Sequence, residues 1–284
     1  MDCKKVAETV YDLANSQDPL APLVKEALEV IDCALDTHGQ EHVSISFNGG
    51  KDCTVLLHLY AAALARRLPP SEPVKPIPAV YIAVPSPFPT LETFIEDSAT
   101  RYTLDLFHCQ PASDRVESVI TPKPAINGAG TSYLNGAPPP KAVGKAKGGE
   151  GMKQALEIYK QTHPNIEAIL IGTRRTDPHG ATLSHRNMTD PGWPRFERIN
   201  PIINWDYADV WTFLRTLNVP YCDLYDQGYT SLGSTYNTFP NPALLADIPP
   251  SSAPSSTSHY RPAYELAEGA LERAGRGAKP TTGS

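Results

Sequence analysis

A polar, glycine-rich string, Ser46-Phe47-Asn48-Gly49-Gly50-Lys51-Asp52, stands between a stretch rich in β-forming residues and an apolar stretch with helical character. Where a strand end meets a helix N-terminus, free backbone N–H groups and the helix dipole favour a polyphosphate. Gly49 and Gly50 let the backbone approach the phosphates, and Lys51 adds a positive charge. The string therefore predicts a phosphate-binding loop, with an ordinary strand-to-helix turn as the alternative.

This loop differs from the G-x-x-x-x-G-K-[ST] loop of kinases and common NTPases. Its spacing is shorter, and Asp52 replaces the hydroxyl residue that would hold Mg²⁺. The string is similar to the pyrophosphatase-type loop of the adenine nucleotide α-hydrolase superfamily, in which ATP is split between its α and β phosphates.

A second set of polar residues follows a later predicted strand. Its strings are Gly172-Thr173-Arg174-Arg175-Thr176-Asp177-Pro178 and Thr189-Asp190-Pro191-Gly192-Trp193-Pro194. The carboxyl ends of strands in an open parallel sheet are where ligands bind. Arginines there can hold phosphate oxygens, and Asp177 and Asp190 can hold Mg²⁺ or the hydroxyls of a polyol. The alternative is that both aspartates simply begin Asp-Pro turns.

Two further strings lie near the C-terminus. The string Gly228-Tyr229-Thr230-Ser231-Leu232-Gly233 predicts either a lid over a nucleotide or a plain structural loop. Arg273 and Arg276 are three residues apart and share a side if a helix persists there. Cations that merely favour a helix C-terminus are the alternative.

These strings need elements to position them, and strands alternate with helices along the chain. Predicted helices span 19–37, 53–67, 89–101, 152–162, 206–217 and 262–274; predicted strands span 42–47, 79–84, 102–107, 167–172 and, as an edge strand, 195–203. Connections too long for hairpins imply an α/β fold: an open, mostly parallel sheet with helices on both faces, plus a C-terminal helical extension.

One domain, residues 1–284, is the expected organisation, with two irregular pieces. Residues 121–151 are rich in glycine and proline, and residues 247–258 are rich in proline and serine. Such runs cannot offset their ordering entropy by burial, so we expect a flexible insertion and a flexible segment.

Composition excludes several classes of protein. The net charge of −6, without a basic stripe, argues against nucleic acid or an anionic membrane as the main partner. The five cysteines include no C-x-x-C pair, which argues against a disulfide framework or a four-cysteine zinc site. Without a signal core or a membrane-length apolar stretch, a soluble, cytoplasmic protein is the expectation.

Taken in order along the chain, the strings resemble the eukaryotic FAD synthase (FMN adenylyltransferase) family, a branch of the superfamily that contains PAPS reductase. The matching pieces are 47–52, 87–94, 172–178, 190–194, 201–205, 225–233 and 272–276. The resemblance implies a Rossmann-like, PP-loop/PAPS reductase-like fold that transfers AMP from ATP to FMN with Mg²⁺, giving FAD and pyrophosphate. Client apoflavoproteins are possible partners.

The resemblance also implies roles for individual residues. The implied ATP- and FAD-binding set is Ser46, Asn48, Gly49, Gly50, Lys51, Asp52, Ile82, Val84, Thr173, Arg174, Asp190, Gly192, Trp193 and Arg276. The implied catalytic set is Asn48, Asp177, Asp190, Arg273 and Arg276, with Asp177 and Asp190 as candidate Mg²⁺ ligands. The loop residues and Lys51 would hold the ATP phosphates, backbone at 82–84 would meet adenine, and Trp193 would line the flavin pocket.

Two other functions stay open. Reductases of the superfamily share a lid of the form G-Y-x-S-[IL]-G, but they follow it with cluster-binding cysteines or use a C-terminal catalytic cysteine. Here Ser234 follows the lid and no cysteine occurs after Cys222, which argues against reduction. A non-catalytic flavin or nucleotide carrier is the second alternative, and it predicts FAD binding without turnover.

Overall fold

Six strands form one sheet in the part of the chain described by the computed structural model, residues 1–69, 71–109, 149–246 and 259–277. The strands are β1 (Val43–Ser46), β2 (Ile77–Ile82), β3 (Leu104–Cys109), β4 (Ala168–Leu170), β5 (Arg186–Met188) and β6 (Glu197–Ile199), in the spatial order β3-β2-β1-β4-β6-β5. All neighbours pair in parallel except β5 and β6, which pair antiparallel. The predicted mostly parallel sheet is confirmed.

Helices cover both faces of this sheet. They are α1 (Cys3–Ala14), α2 (Ala21–His38), α3 (Lys51–Arg67), α4 (Pro89–Tyr102), α5 (Gly149–Thr162) and α6 (Tyr207–Thr216). Successive residues of β4 point to opposite faces: Ala168 and Leu170 join the large core, whereas Ile169 packs with Tyr159 of α5 in a smaller one. The sheet therefore separates two apolar cores, and α5 covers the smaller one.

Helix α3 is the central element of the large core. It is apolar around almost its whole circumference and is buried from Lys51 to Ala65 except for the half-buried Asp52. The Thr54 hydroxyl donates to the Gly50 carbonyl, and the His58 imidazole lies 2.7 Å from the Tyr102 hydroxyl. Burial on this scale fixes the start of α3 rigidly against the end of β1.

The edge strand was predicted in the wrong place. Strand β6, expected at the edge within 195–203, lies between β4 and β5, and β5 forms the edge. The Arg-Asn-Met sequence of β5 gives no strand signal. Its position depends on antiparallel pairing with β6 and on the ion pair between Arg186 and Glu197.

The predicted C-terminal helix, 262–274, is also wrong. The chain there forms two 3-10 turns, Ala263–Glu265 and Gly269–Leu271. The backbone just after it hydrogen-bonds to a neighbouring segment instead of forming helix: Phe239 N donates to the Gly275 carbonyl, and Thr238 pairs with Arg276 in an isolated β-bridge. Gly269 and Gly275 lower the helical preference enough for these contacts to prevail.

The two predicted flexible pieces lie mostly outside the described residues. Residues 121–148 of the insertion and the whole of 247–258 are in the parts that the structure does not describe. Residues 149–151 are the first turn of α5, so the predicted end of the insertion at 151 is wrong by three residues. Gly151 is buried there, and packing outweighs its low helix propensity. No described helix is both long and apolar enough to cross a membrane.

Acid should weaken the fold through His58. Burial lowers the pKa of its imidazole from 6.5 to about 4. Between those values the unfolded chain binds a proton that the folded chain excludes, so stability is lost as pH falls from 6.5 to 4. We expect wild-type protein to lose about 3 kcal/mol more than His58→Gln over this interval, measured by urea unfolding. Tyr102→Phe, which retains the imidazole, should keep the wild-type pH dependence; equal slopes in wild type and His58→Gln would contradict the prediction.

Candidate active site

The glycine loop joins the end of β1 to the start of α3, as predicted. Phe47 N still donates to the Val80 carbonyl at 3.0 Å, and the Asn48 side-chain oxygen then accepts from Gly50 N at 3.0 Å. Gly49 has a φ of +71°, and a Cβ there would lie 2.7 Å from Leu91, so this position requires glycine. The loop therefore brings backbone N–H groups and the helix N-terminus to one place.

The Lys51 side chain points into the protein. It is 2% exposed, and its ammonium lies 3.0 Å from Asp52 Oδ2, also contacts Glu272 Oε1, and sits 5.2 Å from the centre of the Tyr207 ring. Two carboxylates thus already hold the charge that the sequence assigned to the ATP phosphates. The backbone N–H of Lys51 donates to the Tyr225 hydroxyl at 2.8 Å.

Arg174, at the end of the segment that follows β4, is completely buried. Its Nε lies 2.9 Å from Asp52 Oδ1, and its Nη2 lies 2.9 Å from Asp177 Oδ1 and 2.6 Å from Glu272 Oε2. The other oxygen of Asp177 accepts from Arg174 N at 2.8 Å. Lys51, Asp52, Arg174, Asp177 and Glu272 form what we call the buried ion-pair cluster.

Burial and neighbouring charges act in opposite directions on the pKa values of Arg174, Asp52 and Asp177. Burial alone would lower the pKa of Arg174, but the neighbouring carboxylates outweigh it and raise that pKa above its ordinary value. Burial alone would raise the pKa of Asp52, but Lys51 and Arg174 bring it below its usual range. Burial is the largest influence on Asp177 and raises its pKa. With all groups charged, two cations face three carboxylates, a formal charge of 2 − 3 = −1.

Glu272 is the member of the cluster that sequence analysis missed. It stands beside Arg273 in a string singled out for its arginines, but a lone glutamate in a polar segment carries no local signal of burial. Only the folded chain shows it 13% exposed between Lys51 and Arg174.

Residues 228–233, predicted as either a lid or a plain loop and called the lid below, lie against the two C-terminal arginines. Arg273 Nη1 and Arg276 Nη1 lie 3.5 and 3.4 Å from the Ser231 hydroxyl, and Arg276 Nη1 also donates to the Leu232 carbonyl at 2.8 Å. A turn in which Arg276 N donates to the Arg273 carbonyl replaces the expected helix. The Thr230 hydroxyl donates to the Glu272 carbonyl at 2.6 Å and fastens the lid to the same segment.

A narrow apolar cavity of about 270 Å³ opens at the carboxyl ends of β1, β2 and β4. It is lined by Ser46, Val80, Ile82, Met152, Leu156, Ile169, Ile171, Thr189, Asp190, Trp193, Phe196 and Arg198. Ile82, expected near adenine, and Trp193, expected near flavin, therefore share one cavity. Arg198 was not predicted; its Nη2 lies 3.5 Å from Asp190 Oδ1.

A second cavity, of about 600 Å³, has Asp177 in its wall. It is lined by Thr176, Asp177, Pro178, His179, Asp206, Tyr207, Ala208, Leu266, Ala267, Gly269, Ala270, Glu272 and Arg273. Asp177 and Asp190 thus line different cavities. Val84 and Thr173 are half-buried and are not among the lining residues of either cavity. Gly192, with a φ of +83°, shapes the turn in which Trp193 N donates to the Asp190 carbonyl.

Comparison with known proteins identifies the family. The phosphoadenosine phosphosulfate reductase domain family matches residues 42–240. A protein of Schizosaccharomyces pombe named "Probable FAD synthase" is 35% identical, over 97% of this chain and 89% of that protein. The chain belongs to the FAD synthase family.

Other members of the FAD synthase family show the same relationship. The "Probable FAD synthase" of Caenorhabditis elegans is 35% identical over 89% of this chain, which spans 40% of that longer protein. The crystal structure of Candida glabrata FMN adenylyltransferase in complex with FMN and the ATP analog AMPCPP superposes with a TM-score of 0.70 and 28% identity, covering 96% of this chain and 94% of that one. The resemblance inferred from the strings is confirmed.

The two adjacent arginines should differ sharply in their effect on stability. Arg174→Met leaves Asp52, Asp177 and Glu272 without their shared cation, so we expect the free energy of unfolding to fall by about 3–5 kcal/mol. Arg175→Met is the matched control: this exposed side chain bonds to Asn204 and the Leu183 carbonyl, and its loss should cost about 1 kcal/mol or less. Equal losses in urea unfolding would show that the cluster does not depend on Arg174.

Proposed function

We propose that the protein is an FMN adenylyltransferase, which transfers AMP from ATP to the terminal phosphate of FMN and releases pyrophosphate. One observation carries the choice within the superfamily. The reductase-domain match ends at residue 240, whereas Glu272, Arg273 and Arg276, which reach the loop and its lid, lie beyond it. The similarity to FAD synthases covers 97% of the chain and so continues past that boundary.

The ATP phosphates bind at the N-terminus of α3. The start of the helix follows Gly49 and Gly50, and its dipole would stabilise the negative charge of the ATP phosphates and of the pyrophosphate that leaves. The Asn48 side-chain oxygen accepts from Gly50 N, and we expect Asn48 to lie near the reacting phosphate. The nucleotide base extends toward the ends of β1 and β2, where Ser46 and Ile82 line the apolar cavity.

The FMN phosphate needs placement more than it needs a base. Its oxygen is already anionic, so catalysis consists of in-line positioning at the α-phosphorus and neutralisation of two polyanions that repel each other. Arg273 and Arg276, held together at the lid, supply that neutralisation. Trp193 offers an aromatic face to a ring system, with Asp190 beside it to accept hydrogen bonds.

The donor set distinguishes the two candidate Mg²⁺ ligands. Both oxygens of Asp177 bond to Arg174, so a metal there would have to compete with a buried cation. The Asp190 side chain is 69% exposed and makes a 3.5 Å contact with Arg198, so Asp190 is the better ligand. Mg²⁺ characteristically binds one or two carboxylates together with substrate phosphates and water. When bound, it would neutralise phosphate charge.

The competing functions fit the site less well. Cys53 Sγ lies 2.9 Å from the Asn48 side-chain oxygen, but burial raises the pKa of this thiol to about 12. Cys222, the last cysteine, is also buried, and burial raises its pKa to about 11. Both shifts disfavour the thiolate that reduction of a sulfonucleotide requires. A carrier needs no site for ATP, so the phosphate loop together with both aspartates and both C-terminal arginines favours the transferase.

Location in the cytoplasm and delivery of FAD to client apoflavoproteins are parts of the same proposal. The second rests on the chemistry of the product, because FAD acts as a bound cofactor of other proteins.

The assay is to incubate purified protein with ATP, Mg²⁺ and FMN and to follow FAD and pyrophosphate by chromatography. We expect equal amounts of both products. Asp190→Ala and Arg276→Ala should each lower kcat/KM by roughly tenfold to a thousandfold, because each removes charge stabilisation at the reacting phosphates or their metal. Arg261→Ala, which removes a cation from the same C-terminal part of the chain as Arg276, is the control and should retain activity. Absence of FAD, or equal turnover in wild type and all variants, would contradict the proposal.

Two further substrates separate the alternatives. PAPS with a thiol donor should give no sulfite, and riboflavin in place of FMN should give no product, because the sequence contains no kinase loop. Protein that retains FAD but forms none from FMN and ATP would be a carrier.

A further inference from the structure

The Glu272 carboxylate joins three parts of the chain that are far apart in sequence. One oxygen contacts Lys51 Nζ at the start of α3, and the other lies 2.6 Å from Arg174 Nη2, beyond the end of β4. Glu272 itself belongs to the C-terminal segment, which we define as residues 259–277. A single side chain therefore connects that segment to two neighbouring strand ends.

The C-terminal segment depends on such contacts for its position. Its described residues form 3-10 turns rather than a helix, so no regular element of its own fixes its course. Besides the backbone contacts of Phe239 and Thr238, side chains outside the segment donate to its backbone carbonyls: Tyr207 to Ala263, Asn241 to Leu271 and Thr230 to Glu272. The ion pairs of Glu272 stand at the point where the segment crosses the loop.

The charges argue that Lys51 serves this connection rather than a phosphate. Lys51 is 2% exposed, and Asp52 and Glu272 occupy its ammonium. The buried ion-pair cluster already holds three carboxylates against two cations, so it repels a further polyanion. The backbone of the loop, in contrast, carries positive potential without a paired carboxylate.

We propose that Glu272 is a positioning residue: it docks the C-terminal segment on Lys51 and Arg174 and thereby places Arg273 and Arg276 against the lid. Arg273 follows Glu272 directly, and Arg276 follows one turn later, so a displaced carboxylate displaces both guanidinium groups. The catalytic consequence rests on the proposed function, since misplacement of a charge-neutralising group by about 1 Å can cost about 100-fold in rate. The docking itself does not rest on it.

The first test needs no catalysis. Trypsin cleaves after arginine, and in the docked segment the Arg276 side chain is 9% exposed. Glu272→Gln should speed cleavage after Arg273 and Arg276 by about tenfold or more, because it removes one member of a buried ion pair. The near-ultraviolet circular dichroism of the protein should not change, because the fold outside residues 259–277 stays intact. Glu268→Gln, an exposed glutamate of the same segment, is the control and should be cleaved like wild type.

The second test separates the two roles of Lys51 by steady-state kinetics. If Lys51 docks the segment, Lys51→Met and Glu272→Gln should both raise KM for FMN by about tenfold or more and leave KM for ATP within about twofold. The double variant should then be no worse than either single variant. If Lys51→Met raises KM for ATP and Glu272→Gln does not, Lys51 holds phosphate directly and the docking proposal is overturned.

Glu272→Asp guards against a variant that fails to fold. It keeps the charge on a shorter side chain, so it should recover part of the resistance to trypsin and part of the affinity for FMN. Cleavage of Glu272→Gln, or of Lys51→Met if Glu272→Gln does not fold, at the wild-type rate would overturn the proposal. Wild-type protein that forms no FAD would instead contradict the proposed function and leave the trypsin result to stand alone.

Discussion

A fully buried guanidinium, that of Arg174, is the constraint on which the site depends. A cation without water must find carboxylates, and here they come from the start of α3, from the turn after β4 and from the C-terminal segment: Asp52, Asp177 and Glu272. Removing the guanidinium would leave three partly buried carboxylates with Lys51 as the one remaining cation of the cluster. The buried guanidinium therefore holds three segments of the chain together. Local structure alone would leave these segments independent.

The parallel sheet makes this convergence possible. Because β1 and β4 are parallel neighbours, the glycine loop after one and the arginine-containing turn after the other emerge at the same edge. Gly172 allows the closest approach: a Cβ there would lie 3.0 Å from the backbone of Asp52 and Cys53. Asp190 lines the smaller apolar cavity at this edge, and Asp177 lines the larger one.

Two parts of the chain contribute different groups to the candidate site. Residues 42–240, the part matched by the reductase domain family, supply the loop, the sheet edge and the apolar cavity. Residues beyond 240 supply the two arginines that contact Ser231 and the Glu272 carboxylate that contacts Lys51. The same nucleotide-binding edge can therefore serve different chemistry, depending on which groups a C-terminal extension brings to it.

Local sequence patterns predicted the strand–loop–helix unit, the alternation that yields a parallel sheet, and Asp206 as the cap of α6. These features could be predicted because propensity, capping and hydrophobic period act over a few residues. The tertiary structure alone decided the rest. It placed β6 inside the sheet, turned the C-terminal helix into 3-10 turns and paired Lys51 with Glu272. Each of these follows from contacts between residues far apart in sequence, where desolvated charge and packing outweigh local preference.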